Sequence, residues 1–212
     1  MTIAIIDYGS GNLLSARKAF EYALIEARSS KKVVVTNDPL ELKNASHIVL
    51  PGVGAFAECR RALANLVGME DALEENVRVQ KKPFLGICVG MQLLATIGRE
   101  HNLTKGLNWI PGEVVNLSPE NDILKIPHMG WNNVSICESN HPILKDIKKD
   151  IHFYFVHSYV FKPDNASDII ATVEYGGPVV AIIGRENIIG TQFHPEKSQV
   201  EGLRLISNFI KL

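Results

Sequence analysis

The first half of the chain alternates short apolar runs with stretches of helix-like spacing, and this alternation limits the fold more than any other feature. Thr2 to Asp7 reads as a buried strand, Leu13 to Ala27 carries apolar residues at helical intervals, and Lys32 to Thr36 is a second strand after a lysine-rich turn. His47 to Leu50 gives a third strand, Ala57 to Val79 a helical region interrupted near Gly68, and Pro83 to Ile87 a strand entering another helical stretch. Strands separated by helices build a parallel sheet covered on both faces, the doubly wound α/β pattern. Beyond Gly106 the texture changes to short β-rich pieces with turns at Ile110-Pro111-Gly112, Lys162-Pro163-Asp164-Asn165 and Tyr175-Gly176-Gly177-Pro178. Largely antiparallel strands are expected there before Glu201 to Lys211 closes as a helix. With no repeat, low-complexity segment or linker, residues 1–212 are expected to form one domain.

Where the last strand of the parallel half ends, the sequence reads Gly86-Ile87-Cys88-Val89-Gly90. Small residues flanking a nucleophile let a strand turn sharply into a helix and lift the side chain above the sheet. Met91-Gln92-Leu93-Leu94-Ala95 are good helix formers, so Cys88 is expected near a helix N-terminus, where free N–H groups favour a thiolate. The plain alternative is a buried, inert cysteine, because cysteine is a common core residue.

Far downstream, the strand-like run Asn187 to Phe193 leads into His194-Pro195-Glu196. In extended chain, residues two apart share a face, so an imidazole and a carboxylate are expected side by side. A thiol, a base that takes and returns its proton, and a carboxylate that orients the base form a nucleophilic triad. The bland reading of His194 is a hydrogen-bonded histidine at a strand end.

Composition narrows the remaining classes. The chain is 46% hydrophobic with a net charge of −1, which gives no overall basic field for nucleic acid or an anionic membrane. No apolar stretch approaches the roughly 20 residues of a membrane span, and the N-terminus does not read as a signal segment, so a cytoplasmic location is expected. Cys59, Cys88 and Cys137 are odd in number and widely spaced, pointing to neither a disulfide framework nor a zinc site. Gly9-Ser10-Gly11 and Gly52-Val53-Gly54 each follow a strand, but the first has Leu14 where a dinucleotide loop needs glycine. The second has the permitted Ala57 but no other dinucleotide signal, so no cofactor is expected. Pro51-Gly52-Val53-Gly54 is better suited to turning a backbone N–H toward a developing oxyanion.

Pro51-Gly52-Val53-Gly54, Gly86 to Gln92 and Phe193-His194-Pro195-Glu196-Lys197-Ser198 together resemble the triad-type glutamine amidotransferases in order and spacing. Ile6 to Asn12, Pro127-His128-Met129-Gly130-Trp131-Asn132 and Tyr154-Phe155-Val156-His157-Ser158-Tyr159 are similar to one branch, the glutaminase subunits of imidazole glycerol phosphate synthase. The resemblance covers essentially the whole chain and implies a flavodoxin-like three-layer sandwich. It implies a Cys88, His194 and Glu196 triad that hydrolyses glutamine through a thioester, with oxyanion donors at Val89 and at Val53 or Gly54. Rotation of the Gly52–Val53 peptide would arm that second donor. It further implies glutamine-binding roles for Gly52, Gly54, Gln92, Glu100, His157, Ser158 and Tyr159. Gln92 and Glu100 are eight positions apart, so they would share a helix face if the elbow helix reached that far. The implied partner is a (βα)₈-barrel cyclase in a heterodimer, met by Trp131, Tyr154 and Lys197 with Asn12 nearby.

Val89 replaces the leucine more often seen in the family, and Ser10 stands where some relatives carry proline, which leaves that loop less rigid. Neither change removes a catalytic group. The competing readings are a paralogous amidotransferase serving surface-sugar amidination, a glutaminase of another biosynthetic pathway, a cysteine peptidase and a catalytically silent regulatory module.

Overall fold

The computed structural model describes residues 1–120, 123–138, 140–148 and 150–212. Its first half follows the alternation in the sequence. Strand β1 (Thr2–Ile6) leads to helix α1 (Leu13–Glu26), β2 (Lys32–Thr36), β3 (Ala45–Gly52) and helix α2 (Phe56–Ala64). Helix α3 (Met69–Leu73) continues into a π-helical turn, Glu74–Val79, before β4 (Phe84–Cys88) and the short helix α4 (Val89–Gln92). Asn12 starts α1 by accepting the Ser15 N–H through its side chain, at 3.2 Å. Gly68 adopts φ +79° between α2 and α3, which explains the interruption there.

The second half supplies β5 (Ile97–Gly98), β6 (Thr104–Lys105), β7 (Gly112–Asn116), β8 (His128–Ile136), β9 (Ile151–His157), β10 (Tyr159–Pro163), β11 (Ile169–Glu174), β12 (Pro178–Arg185) and β13 (Ile188–Thr191). Helix α5 (Gln199–Phe209) closes the chain. Among the described residues, nine strands form one sheet in the order β2-β1-β3-β4-β13-β12-β11-β8-β9. Pairing is parallel from β2 to β13 and antiparallel from β13 to β9. The strands β10-β7-β5-β6 form a smaller second sheet.

β3 and β4 are almost wholly buried, as expected of strands covered on both faces. α1 and α5 lie side by side on one face, with Phe20 and Phe209 edge to face at 6.2 Å. Where α5 crosses the turn after His194, a Cβ on Gly202 would stand 2.0 Å from the Pro195 carbonyl oxygen, so only glycine permits that approach. No described helix is long and apolar enough to cross a membrane.

Two local expectations need correction. The elbow helix has four residues, and the chain then turns through Leu93 to Ala95 instead of continuing as helix. Glu100 therefore lies beyond β5, and it does not share a helix face with Gln92. The cause is tertiary: the Leu93, Leu94 and Ala95 carbonyls accept from Leu107, Trp109 and Asn108, so a loop takes the bonds a longer helix would need.

Candidate active site

The register of the central sheet brings the site together. β4 lies between β3 and β13, with Gly52 beside Cys88 and Thr191 beside Ile87. Thus the candidate nucleophile, the glycine-rich segment and the strand leading to His194 are neighbours at the carboxyl ends of adjacent central strands, where ligands of open α/β sheets bind. Cys88 has φ +54° and ψ −111°, the strained turn that an elbow requires. Its neighbours must be small: a Cβ on Gly90 would stand 1.8 Å from the Leu50 carbonyl oxygen, and one on Gly86 would stand 2.6 Å from the Gly90 oxygen.

His194 and Glu196 pair as anticipated but by a different backbone route. β13 ends at Thr191, and Glu196 sits in the 3₁₀ turn Pro195–Lys197, so the pair is joined across a turn and not along one strand face. His194 Nδ1 lies 2.8 Å from Glu196 Oε1, with side chains 2% and 3% exposed. Ser198 supports the turn, donating to the His194 carbonyl at 2.7 Å and accepting the Tyr154 N–H at 3.0 Å. Burial lowers the affinity of His194 for a proton, but the Cys88 sulfur and the Glu196 carboxylate outweigh it and raise its pKa to about 9. That shift favours the imidazolium form of the ring at neutral pH.

Cys88 and His194 open into a cavity of ≈ 320 Å³ lined also by Val53, Gly54, Val89, Gln92, Glu100, Pro127, Val156, His157, Ser158 and Tyr159. That lining includes every expected glutamine-binding residue except Gly52, which lies beside Cys88 in the β3–β4 register. A Cβ on Gly52 would meet the Tyr8 hydroxyl at 2.5 Å and the Gly90 nitrogen at 2.8 Å. Glu100 reaches the cavity from its loop, and one of its oxygens accepts the first N–H of α2, from Phe56, at 2.6 Å. His157 Nδ1 is 3.0 Å from the Tyr159 carbonyl oxygen and must donate to it, so Nε2 accepts from His128 Nδ1 at 3.0 Å. Burial drives the pKa of both rings down, to about 3 for His157 and about 4 for His128. Both are neutral hydrogen-bonding groups.

The two expected oxyanion segments differ in readiness. Val89 opens α4, so its N–H belongs to the first turn, where helices leave amides unpaired. The Val53 N–H is already committed to the Ser10 hydroxyl at 3.0 Å, and the same hydroxyl donates to the Val53 carbonyl at 2.6 Å.

Trp131 and Tyr154 face each other across β8 and β9, with ring centroids 6.0 Å apart, and the Lys197 ammonium lies 5.9 Å from the Tyr154 ring. Trp131 is 47% exposed, so core packing does not explain it. Asn12 is exposed and occupied in capping α1. Sequence reasoning missed the buried polar side chains His128 and Gln192 and the contact of Ser10 with Val53. Their roles depend on long-range neighbours that local pattern does not reveal.

The chain is similar to known proteins along its whole length. Imidazole glycerol phosphate synthase subunits HisH of Rhodopseudomonas palustris, Bradyrhizobium diazoefficiens and Rhodospirillum rubrum are 53%, 55% and 54% identical to the chain. Each alignment covers 100% of this chain and 99% of the relative. In fold, the chain resembles a glutamine amidotransferase structure at TM-score 0.71, with 17% identity and 99% and 97% of the two chains covered. A Thermotoga maritima glutamine amidotransferase gives TM-score 0.66 at 17% identity, covering 100% and 96%. Residues 4–212 match the family described as Glutamine amidotransferase class-I, and the chain belongs to that family.

Proposed function

We propose that the chain is the glutaminase subunit of an imidazole glycerol phosphate synthase, with Cys88, His194 and Glu196 as its triad. The observation that carries this reading is the buried His194–Glu196 pair, whose imidazole lines with Cys88 a cavity of amino-acid size. The full-length similarity to HisH subunits selects this branch over the surface-sugar paralogue, and the intact triad speaks against a silent module.

In the proposed cycle the Cys88 thiolate attacks the side-chain amide carbon of glutamine, moving the carbonyl electrons onto oxygen. The N–H groups of Val89 and of Val53 or Gly54 receive that oxyanion. The imidazolium form of His194 is suited to give its proton to the departing nitrogen, leaving ammonia and a γ-glutamyl thioester. Neutral His194 then takes a proton from water as the water attacks the thioester. Collapse of the second intermediate frees glutamate, and Glu196 keeps the ring oriented through both halves.

Gln92, Glu100, His157, Ser158 and Tyr159, with Gly52 and Gly54, bind the amino-acid portion of the substrate. The free oxygen of the Glu100 carboxylate suits the α-ammonium by charge. Ammonia protonated in bulk water loses its nucleophilic lone pair, so a glutaminase of this kind must deliver it to an acceptor site. The partner is the (βα)₈-barrel cyclase, held in a heterodimer through Trp131, Tyr154 and Lys197 with Asn12 nearby. It turns ammonia and a ribonucleotide into imidazole glycerol phosphate and aminoimidazole carboxamide ribonucleotide. One domain spanning 1–212 and a cytoplasmic location complete the proposal.

The test measures glutamate release by the chain alone, with the cyclase, and with cyclase plus ribonucleotide, using Cys88→Ala as control. A low rate that rises only in the full mixture and vanishes in the variant supports the assignment. Indifference to cyclase and ligand refutes it.

A further inference from the structure

Gln192 lies outside the proposed triad and binding set, yet it joins the nucleophile to the buried polar groups around the cavity. It follows β13, two positions before His194, and is fully buried. Its Nε2 is 3.8 Å from Cys88 Sγ, within hydrogen-bonding reach of the large sulfur atom, and its Oε1 is 3.1 Å from Gln92 Nε2.

The bonding partners fix which end of each amide is which. The Tyr159 carbonyl has no proton to give, so the Gln92 atom 3.0 Å from it must be the amide nitrogen. That nitrogen gives its second proton to Gln192, which must present its oxygen there. Gln192 is left with an N–H directed at Cys88. Turned over, it would oppose one NH₂ group to another and set a carbonyl oxygen against the sulfur. The same Tyr159 carbonyl also accepts from His157, so one backbone oxygen sets the direction of both side-chain chains.

We infer that Gln192 is a further catalytic residue: it donates a hydrogen bond to the Cys88 thiolate, its amide held in the donating sense by Gln92 and the Tyr159 carbonyl. The donor stabilises negative charge on sulfur before attack and restrains the sulfur's position above the elbow. The assignment rests on Cys88 being a thiolate nucleophile, and not on the identity of its substrate.

The full chain, Gln192→Leu and Gln192→Glu are treated with iodoacetamide at pH 8, and labelling of the Cys88 peptide is followed by mass spectrometry, which separates it from Cys59 and Cys137. A donor to a charged group predicts labelling of Gln192→Leu about tenfold slower than wild type. Gln192→Glu falls lower still, because a carboxylate opposes the thiolate. A packing role predicts the reverse order, since glutamate keeps the shape and the acceptor for Gln92. Equal rates, or glutamate above leucine, overturn the inference. Thermal melting checks that each variant is folded. If Gln192→Leu does not fold, a wild-type rate in Gln192→Glu overturns the inference and a rate at least about tenfold lower upholds it. Wild-type glutamate release, measured with the cyclase and ribonucleotide on the same preparations, keeps the two ideas separate. Ordered labelling without glutamate release refutes the glutaminase and leaves the donor standing.

Discussion

The Ser10 hydroxyl holds both polar groups of Val53, accepting from its nitrogen at 3.0 Å and donating to its oxygen at 2.6 Å. Cys59 adds a second donor to the same carbonyl at 3.3 Å. An amide bound this way is not available to an oxyanion, so the contact keeps one of the proposed donors out of use. Ser10→Ala is expected to raise glutamate release without the cyclase about fivefold, the value of one ordinary hydrogen bond. An unchanged partner-free rate would show that Ser10 does not restrain this segment.

Glu196→Gln keeps the shape of the proposed triad and removes the charge beside His194. Glutamate release in the full mixture is expected to fall about a hundredfold or more, with a smaller change in KM. The wild-type His194 pKa is raised from 6.5 to about 9, so its charge contributes fully to stability below about pH 6.5 and the contribution is lost as pH rises through about 9. Melting curves between pH 6 and 10 should show that alkaline loss in wild type and a weaker one in Glu196→Gln. Identical curves would contradict the pairing.

Three buried histidines impose the opposite trend in acid. His47 and His128 are pushed down to about 4 and His157 to about 3, in each case mainly by burial. The unfolded chain binds protons at these positions below about pH 6.5, whereas the folded protein does not until about pH 4 or 3. Stability is therefore expected to fall as pH drops through that window, by about 2 kcal/mol for a single such histidine at pH 5. Urea denaturation at pH 7.5 and 5 measures it, and equal midpoints would refute it.

Gly90→Ala tests the closeness of the elbow to β3. The added methyl would lie 1.8 Å from the Leu50 carbonyl oxygen, which is backbone in a buried strand and has little room to yield. A stability loss of about 3 kcal/mol is expected by urea denaturation, together with lost activity. A fully stable variant would mean that β3 moves more easily than its burial implies.

Replacing Trp131, Tyr154 and Lys197 together by alanine is expected to weaken cyclase binding about a hundredfold or more, read by titration calorimetry, without changing the melting temperature appreciably. Wild-type affinity would defeat the interface assignment.

The parallel half was legible because each strand and helix there carries its own apolar period: β2 has the bounds read from sequence, and α1 differs by one residue. The elbow and His194-Pro195-Glu196 were legible because glycine spacing and residue type constrain chemistry locally. What local pattern hid was decided by distant partners. The elbow helix stops early because the Leu107 to Trp109 loop takes its carbonyls, so Glu100 arrives by another route. Gln192 looks like an ordinary strand polar residue until Gln92 and Cys88 are seen on either side of it. The insertion of β13 between β4 and β12, which puts parallel and antiparallel halves in one sheet, has no local signature.

That insertion also sets an order in time. Translation delivers the elbow of β4 long before β13, although the two are hydrogen-bonded neighbours in the finished sheet. Until β13 emerges, β4 has an open edge and Cys88 has neither the base nor the carboxylate that follow that strand. A nascent chain cannot run the proposed reaction, so synthesis itself withholds the glutaminase until its last strand is laid into the sheet.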